Sequence, residues 1–302
     1  MLDLVRLSPR RLFPPGGRDL ARQIALLTDL DPDDEVIVAG CGNGVTLEYF
    51  VTEYGVHGSG VDADAHMVEE AEERARSREL GGSMQFQHAP GDSLPYRDEV
   101  FDVAVGELGM THEAAAADAV RELVRVTRSG GCVVLVQPVW KAAVDEERRR
   151  LLAGHLGVKP LMLVEWKRML REAGVRHLHT EDWSDDRTAF RPRVAKPFPD
   201  FAELFSLGEK LGILQRAWRR WGWRGVKTVM VREREVHQLL TRERILGLDL
   251  VKGVKEPVEP ETDDEDAGDG EVEEGEGSVE DSPDRPGETS GLPLFSAGDD
   301  NP

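Results

Sequence analysis

Apolar residues follow two rhythms along the first two-thirds of the chain, and their succession predicts alternating helices and strands. From Arg18 to Leu30 the apolar positions are Leu20, Ile24, Leu27 and Leu30, with Ala21 and Ala25 beside them. That is the spacing of one helical face, and Asp31-Pro-Asp-Asp34 breaks it. Val36-Ile-Val-Ala39 is apolar without alternation, as expected of a strand buried on both faces of a parallel sheet. Thr46–Tyr54 reads as a helix, Gly58–Asp62 as a short strand, and Ala65–Leu80 as a charged amphipathic helix stopped by Gly81-Gly82. Met84–His88 and Phe101–Val105 read as strands. Ala114–Thr127 reads as a helix closed by Ser129-Gly-Gly131, and Cys132–Val136 as a strand. Leu161–Ala173 reads as a helix capped by Gly174, with a strand near Val175–Thr180. Strands separated by helices of this length imply βαβ units, hence an α/β fold with a doubly wound sheet.

Residues 182–243 leave that rhythm. They hold Arg191-Pro-Arg-Val-Ala-Lys-Pro197, then two expected helices, Phe201–Trp218 and Lys227–Thr241, before a last strand over Ile245–Val254. The expected organisation is one domain over 1–255, with 182–243 as a helical insert or cover before the last strand, and a tail over 256–302.

Charge sharpens the division. The net charge is −20, yet residues 256–302 hold 18 of the 58 acidic residues and one basic residue, a net of −17, which leaves −3 for the first 255. The tail is built of Glu, Asp, Gly, Pro and Ser, buries too little to offset chain entropy, and is expected to be disordered. A near-neutral body exerts no general pull on nucleic acid, and the tail repels phosphate, so nucleic acid is not the expected partner. Cys41 and Cys132 sit in apolar or Gly-rich surroundings and suggest neither a disulfide framework nor a zinc site; no metal is expected. The apolar runs are too short to span a bilayer, and the start lacks the pattern of a secretory signal, so a cytoplasmic protein with no membrane segment is expected.

The chemistry concentrates at the ends of the expected strands. Gly40-Cys-Gly-Asn-Gly44 joins a strand to a helix. Its glycines permit a tight turn and close approach of a ligand, and the helix start offers unpaired N–H groups. A structural turn would use the same residues. Asp62 ends the next strand, where a carboxylate can accept two ribose hydroxyl hydrogen bonds; the competing role is a helix cap, for which Asp64 serves as well.

At this point the sequence resembles the class I S-adenosylmethionine-dependent methyltransferases. Val36–Gly44 resembles their first motif, and Gly60-Val-Asp-Ala-Asp64 the acidic ribose-binding motif. Gly91-Asp-Ser-Leu-Pro-Tyr96 resembles the adenine-side loop, Phe101–Glu107 the fourth strand, Arg121–Gly131 the helix and turn before the fifth, and Leu170–Gly174 the late helix end. The segments run in family order over about residues 20–180. The resemblance implies a mostly parallel seven-stranded sheet with helices on both faces. It implies S-adenosyl-L-methionine as cofactor, along Gly40, Cys41, Gly42, Asn43, Gly44, Asp62, Ala63, Asp92, Ser93 and Glu107. Phe13-Pro-Pro-Gly-Gly17 resembles lead-ins that help close such a site. One position departs: Val38 stands where the family carries an acid two residues before the first glycine.

Methyl transfer is an in-line displacement that needs positioning and water exclusion more than a dedicated triad. A base is required only if the acceptor must lose a proton. The candidates for catalysis are Glu107, at the carboxyl edge of the fourth strand, and His112 just beyond it. A loop cap and a helix-start contact are their structural alternatives. Gln137, Pro138 and Trp140 end the fifth strand where an acceptor pocket would lie. Trp218-Arg-Arg-Trp-Gly-Trp223 mixes rings and cations, either as a nucleic-acid surface or as a packed helix corner. Leu292-Pro-Leu-Phe295 is a short apolar patch in the tail. The expected activity is methyl transfer from S-adenosylmethionine to a small-molecule acceptor, with the helical insert setting specificity. A noncatalytic binding module, which Val38 invites, and an RNA or protein methyltransferase are the other readings. A nicotinamide-dependent oxidoreductase fits the Gly-x-Gly-x-Gly spacing less well.

Overall fold

Val36 and Val38 point into one hydrophobic core and Ile37 and Ala39 into another, all four with no exposed surface. Successive strand residues face opposite sides of a sheet, so a run buried on both sides must be apolar throughout. The computed structural model describes residues 14–112, 114–184, 206–241 and 245–257. Phe13, the segment Arg191–Pro197, the start of the helix expected from Phe201, and the acidic tail with Leu292–Phe295 lie outside the described residues.

The strands are β1 (Glu35–Ala39), β2 (His57–Asp62), β3 (Met84–His88), β4 (Phe101–Gly106), β5 (Thr127–Trp140), β6 (Val175–Asp182) and β7 (Leu246–Lys255). They form one seven-stranded sheet in the order β3-β2-β1-β4-β5-β7-β6. β1 to β5 are parallel, and β7 runs antiparallel to both β5 and β6. The sheet is thus mostly parallel, as expected, with a reversed strand between β5 and β6. The helices are α1 (Gly17–Thr28), α2 (Val45–Tyr54), α3 (Ala65–Ser77), α4 (Ala116–Val126), α5 (Glu146–Leu156), α6 (Leu163–Glu172) and α7 (Leu207–Thr241), with a short 3-10 turn at Leu108–Thr111. Leu20 and Ile24 of α1, Leu47 and Phe50 of α2, and Val68 and Ala71 of α3 fill one core. Leu123 of α4 and Trp166 and Leu170 of α6 fill the other. Helices therefore cover both faces.

Two elements differ from the sequence reading. β5 begins at Thr127, not Cys132, because Thr127 already pairs with Phe101; extra residues around Gly130 (φ 79°) bulge out before Val103 meets Cys132. α5 was not anticipated: its run is charged, and Leu152 supplies its buried anchor, in a small core with Trp140, Val158, Ile245 and Leu246. α7 is two helices joined at a kink, as expected, although the second starts earlier than Lys227. It breaks at Gly222, whose φ of 64° and ψ of 174° interrupt the helical path. Ser206 and Glu209 cap its start reciprocally: the Ser206 amide donates to Glu209 Oε2 (2.8 Å) and the Glu209 amide to Ser206 Oγ (3.4 Å).

Sheet order sets the location of any ligand. The chain winds outward from β1 to β2 and β3, then returns to place β4 on the other side of β1. The loops leaving β1 and β4 therefore part at the carboxyl edge, where open α/β sheets hold their ligands.

Candidate functional site

Four loops meet at that edge. Gly40, Gly42 and Gly44 all lie in the left-handed region, with φ of 74°, 52° and 76°, which side chains disfavour. A Cβ on Gly40 would stand 2.1 Å from the Met110 amide nitrogen, and one on Gly91 would stand 2.1 Å from the Met110 carbonyl oxygen. A Cβ on Gly109 would stand 3.2 Å from Asp62 Oδ2. The loops after β1, β2, β3 and β4 are thus packed backbone to backbone. Gly42 differs, since nothing lies within 4 Å of the place its Cβ would take, so this side of the turn is open.

These contacts separate two glycines that look alike in sequence. Gly40→Ala combines a disfavoured φ with a backbone clash and is expected to cost on the order of 3 kcal/mol. Gly42→Ala meets only the φ penalty, about 1 kcal/mol. Urea unfolding of the two variants checks this: equal losses would mean that the loop packing is not as described.

Asp62 holds the loop in shape. Its Oδ2 accepts from the Gly42 amide at 2.8 Å and its Oδ1 from the Asp64 amide at 2.9 Å, with 7 % of the residue exposed. Burial raises its pKa, and the Asp64 and Gly42 amides pull it back. The helix-cap role falls to Asp64, whose side chain accepts from the His66 amide at 3.0 Å. The Cys41 thiol is buried, and burial, followed by Asp62 and Glu107, pushes its pKa well up; it is not a nucleophile.

Glu107 follows β4, its amide donating to the Ala39 carbonyl at 2.9 Å. Only 5 % of it is exposed. Burial pushes its carboxyl up to about 7, with a smaller push from Asp62 and an opposing pull from the nearby Thr46 hydroxyl. That hydroxyl, near the start of α2, is buried beside the Glu107 carboxyl. The two groups line a recess of about 240 Å³, counted to its open mouth, together with Pro14, Pro15, Leu20, Ile24 and Val136. Pro14, Pro15 and Gly17 of the Pro-Pro-Gly-Gly lead-in therefore border this recess. Cys41, Asp62 and His112 are not among the residues that line the recess.

His112 sits beyond the 3-10 turn, where its charge bears on Asp62. Its Nδ1 lies 3.0 Å from the Gly157 carbonyl oxygen. A carbonyl only accepts, so Nδ1 carries the proton and the lone pair of a neutral ring sits on Nε2. Asp92 is half-buried and Ser93 exposed on the loop that packs on Met110; Asn43 is half-buried, and the Ala63 carbonyl meets His88 Nε2 at 2.9 Å.

The fifth-strand residues act differently from the expectation. Gln137 is 2 % exposed, and its Nε2 donates to the carbonyls of Gly106 (3.1 Å) and Glu107 (2.8 Å). It clamps the backbone that carries Glu107 and does not line the recess. Trp140 belongs to the small core under α5, with the Arg149 guanidinium 5.7 Å above its ring. Thr46 was missed; an isolated hydroxyl two residues past a glycine-rich turn was its one signal. Val38, at the place of the missing acid, is wholly buried in the core. Among the described residues no group of three or more His, Cys, Asp or Glu is arranged to hold a metal, and no helix is long and apolar enough to cross a membrane.

Comparison with known proteins agrees with this geometry. A family profile described as a methyltransferase domain matches residues 37–135, the stretch from β1 into β5. The methyltransferase GfsG of Streptomyces halstedii is 26% identical over 209 residues, which cover 67% of this chain and 74% of that protein. The 27-O-demethylrifamycin SV methyltransferase of Amycolatopsis mediterranei is 28% identical over 190 residues, covering 61% and 69%. Among solved structures, phosphoethanolamine N-methyltransferase 2 of Haemonchus contortus, in complex with S-adenosyl-L-methionine, superposes with a TM-score of 0.61 at 16% identity, covering 81% of this chain and 54% of that one.

Proposed function

We propose that this chain, which belongs to the class I S-adenosylmethionine-dependent methyltransferases, transfers a methyl group from S-adenosyl-L-methionine to a small-molecule acceptor. The observation that carries the reading is an open glycine turn at Gly42, on the same sheet edge as a recess that holds a buried carboxyl and a buried hydroxyl, Glu107 and Thr46. Asp62 and the Gly42 backbone then serve the ribose, and the half-buried Asp92 the adenine edge. Glu107 and Thr46 serve the ammonium group of the methionyl end, with Glu107 in the part that the acid missing at Val38 would have taken.

When bound, the cofactor supplies a methyl group activated on a sulfonium sulfur. The chain's own work is to hold and to exclude. Pro14, Pro15, Leu20 and Ile24 shield the recess from water, which strengthens the charge interactions inside. Gln137 fixes the Glu107 backbone. His112 Nε2 is the group placed to accept a proton where the acceptor is a hydroxyl. The small-molecule acceptor is supported by the relative whose name specifies demethylrifamycin and by the near-neutral charge of the body.

Incubation with methyl-labelled S-adenosylmethionine and a cell extract separated by size tests the proposal. Label is expected in the low-molecular-weight fraction. Label confined to RNA or protein would replace the acceptor class, and no transfer to any fraction would favour a binding module.

A further inference from the structure

We propose that the outward face of α7 docks this protein on an anionic lipid surface. The helix already satisfies one apolar face, since Ile213 and Ala217 are fully buried, Val226 is 3 % exposed, and the helix contacts β7. It carries a second apolar face that no other described residue covers. Leu207 is 79 % exposed, Leu211 70 % and Trp218 57 %. At helical periodicity these three positions fall within about 40° of one another. Beyond Gly222 the pattern recurs: Trp223 is 73 % exposed, Met230 49 % and Val231 60 %. Trp223 and Met230 lie within about 20° of each other, with Lys227 between Met230 and Val231 on the helical wheel. Large apolar groups exposed together in this way mark an interaction surface.

Charge identifies the occupant. Residues 207–231 contain six Lys or Arg and one Glu, a net of +5 within a chain of net −20. Arg219, Arg224 and Lys227 are exposed beside the apolar stripe. Leu and Trp before Gly222 and Trp, Met and Val after it, each set flanked by cations, match a membrane interface, where apolar groups enter the acyl boundary and long basic side chains reach the headgroups. A nucleic-acid strand would use the Trp rings and the Arg side chains, but it gains nothing by stacking on Leu207, Leu211, Met230 or Val231. A second copy would set this basic face against its own like charge, because a two-fold interface pairs a patch with itself. No helix among the described residues is long and apolar enough to span a bilayer, so the contact is one of lying on the surface.

Flotation of the full chain with unilamellar vesicles tests this. Two compositions are compared: phosphatidylcholine alone, and phosphatidylcholine carrying about one-third phosphatidylglycerol. Binding is expected only to the anionic vesicles and should weaken in high salt. The triple variant Arg219→Glu/Arg224→Glu/Lys227→Glu should lower partitioning by about a hundredfold or more, since each basic residue near such a surface contributes about fivefold. Trp218→Ser/Trp223→Ser should also abolish flotation, and circular dichroism should show both variants folded, because every altered side chain is exposed. Failure to float with anionic vesicles, or flotation unchanged in both variants, would overturn the proposal. Retention on single-stranded RNA without vesicle binding would give the face to nucleic acid, and a dimer dissolved by Trp218→Ser would give it to a second copy.

Discussion

Glu107→Gln is expected to make the ligand-free protein more stable at pH 8 while removing most of its cofactor affinity. The carboxyl is held at about 7 by burial, against an ordinary 4.5. A group whose folded value is raised contributes its stability fully below the unfolded value and loses it as pH climbs through the folded one. Between about pH 4.5 and 7 the native state therefore loses ground, and above that range the buried charge costs up to roughly 3 kcal/mol. The amide carries no such charge. Urea unfolding should show the two proteins alike at pH 5 and the variant ahead by up to roughly 3 kcal/mol at pH 8. Ligand binding should move the other way. A hydrogen bond to a charged group is worth about 1.5–3 kcal/mol, so S-adenosylhomocysteine affinity should fall between about tenfold and a hundredfold. In the unaltered protein that affinity should rise with pH until about 7 and then level off. A variant no more stable at pH 8, with unchanged affinity, would remove Glu107 from the site.

Asp62→Ala is expected to have the larger effect on binding. The substitution strips the acceptor from the Gly42 and Asp64 amides at once, so the turn loses its shape before any ligand arrives. Each buried donor left unpaired costs about 1–3 kcal/mol, and the ribose hydroxyls lose their acceptor as well. Affinity should drop at least a hundredfold, a loss of about 2.7 kcal/mol or more, with part of it visible as a lower unfolding midpoint. Asp62→Asn retains one acceptor oxygen and should fold closer to the parent, yet still bind weakly, because its NH₂ faces an amide N–H that also donates.

The sequence disclosed most of the sheet because strands buried on both faces must be apolar at every position, as at Val36–Ala39 and Val133–Val136. It could not disclose the reversal of β7, since a strand's direction depends on what it pairs with and the Ile245–Val254 run reads the same either way. α5 escaped notice because its contact with the fold rests chiefly on Leu152 in a charged run. The two helices expected before β7 are the two halves of α7, which meet at Gly222.

The site was legible to a similar depth. The glycines and Asp62 form local motifs whose chemistry can be read in order. Their difference in tolerance cannot, because Gly40 is defined by Met110 and Gly42 by open space. Thr46 was illegible as a site residue, and Gln137 was legible as a pocket candidate but not as a clamp, since both roles depend on Glu107, far away in the chain and adjacent only after β1, β4 and β5 pair. The departure at Val38 was plain in the sequence. That a buried carboxyl waits across the strand, at Glu107, is information the fold adds.

The central claim is that the loops after β1, β2 and β4 form a working cofactor site. Calorimetric titration of the protein with S-adenosylhomocysteine, in parallel with Asp62→Ala, tests it most directly. Micromolar binding by the parent, abolished in the variant, is the predicted result. Absence of binding at millimolar ligand, or equal binding by both proteins, would contradict it.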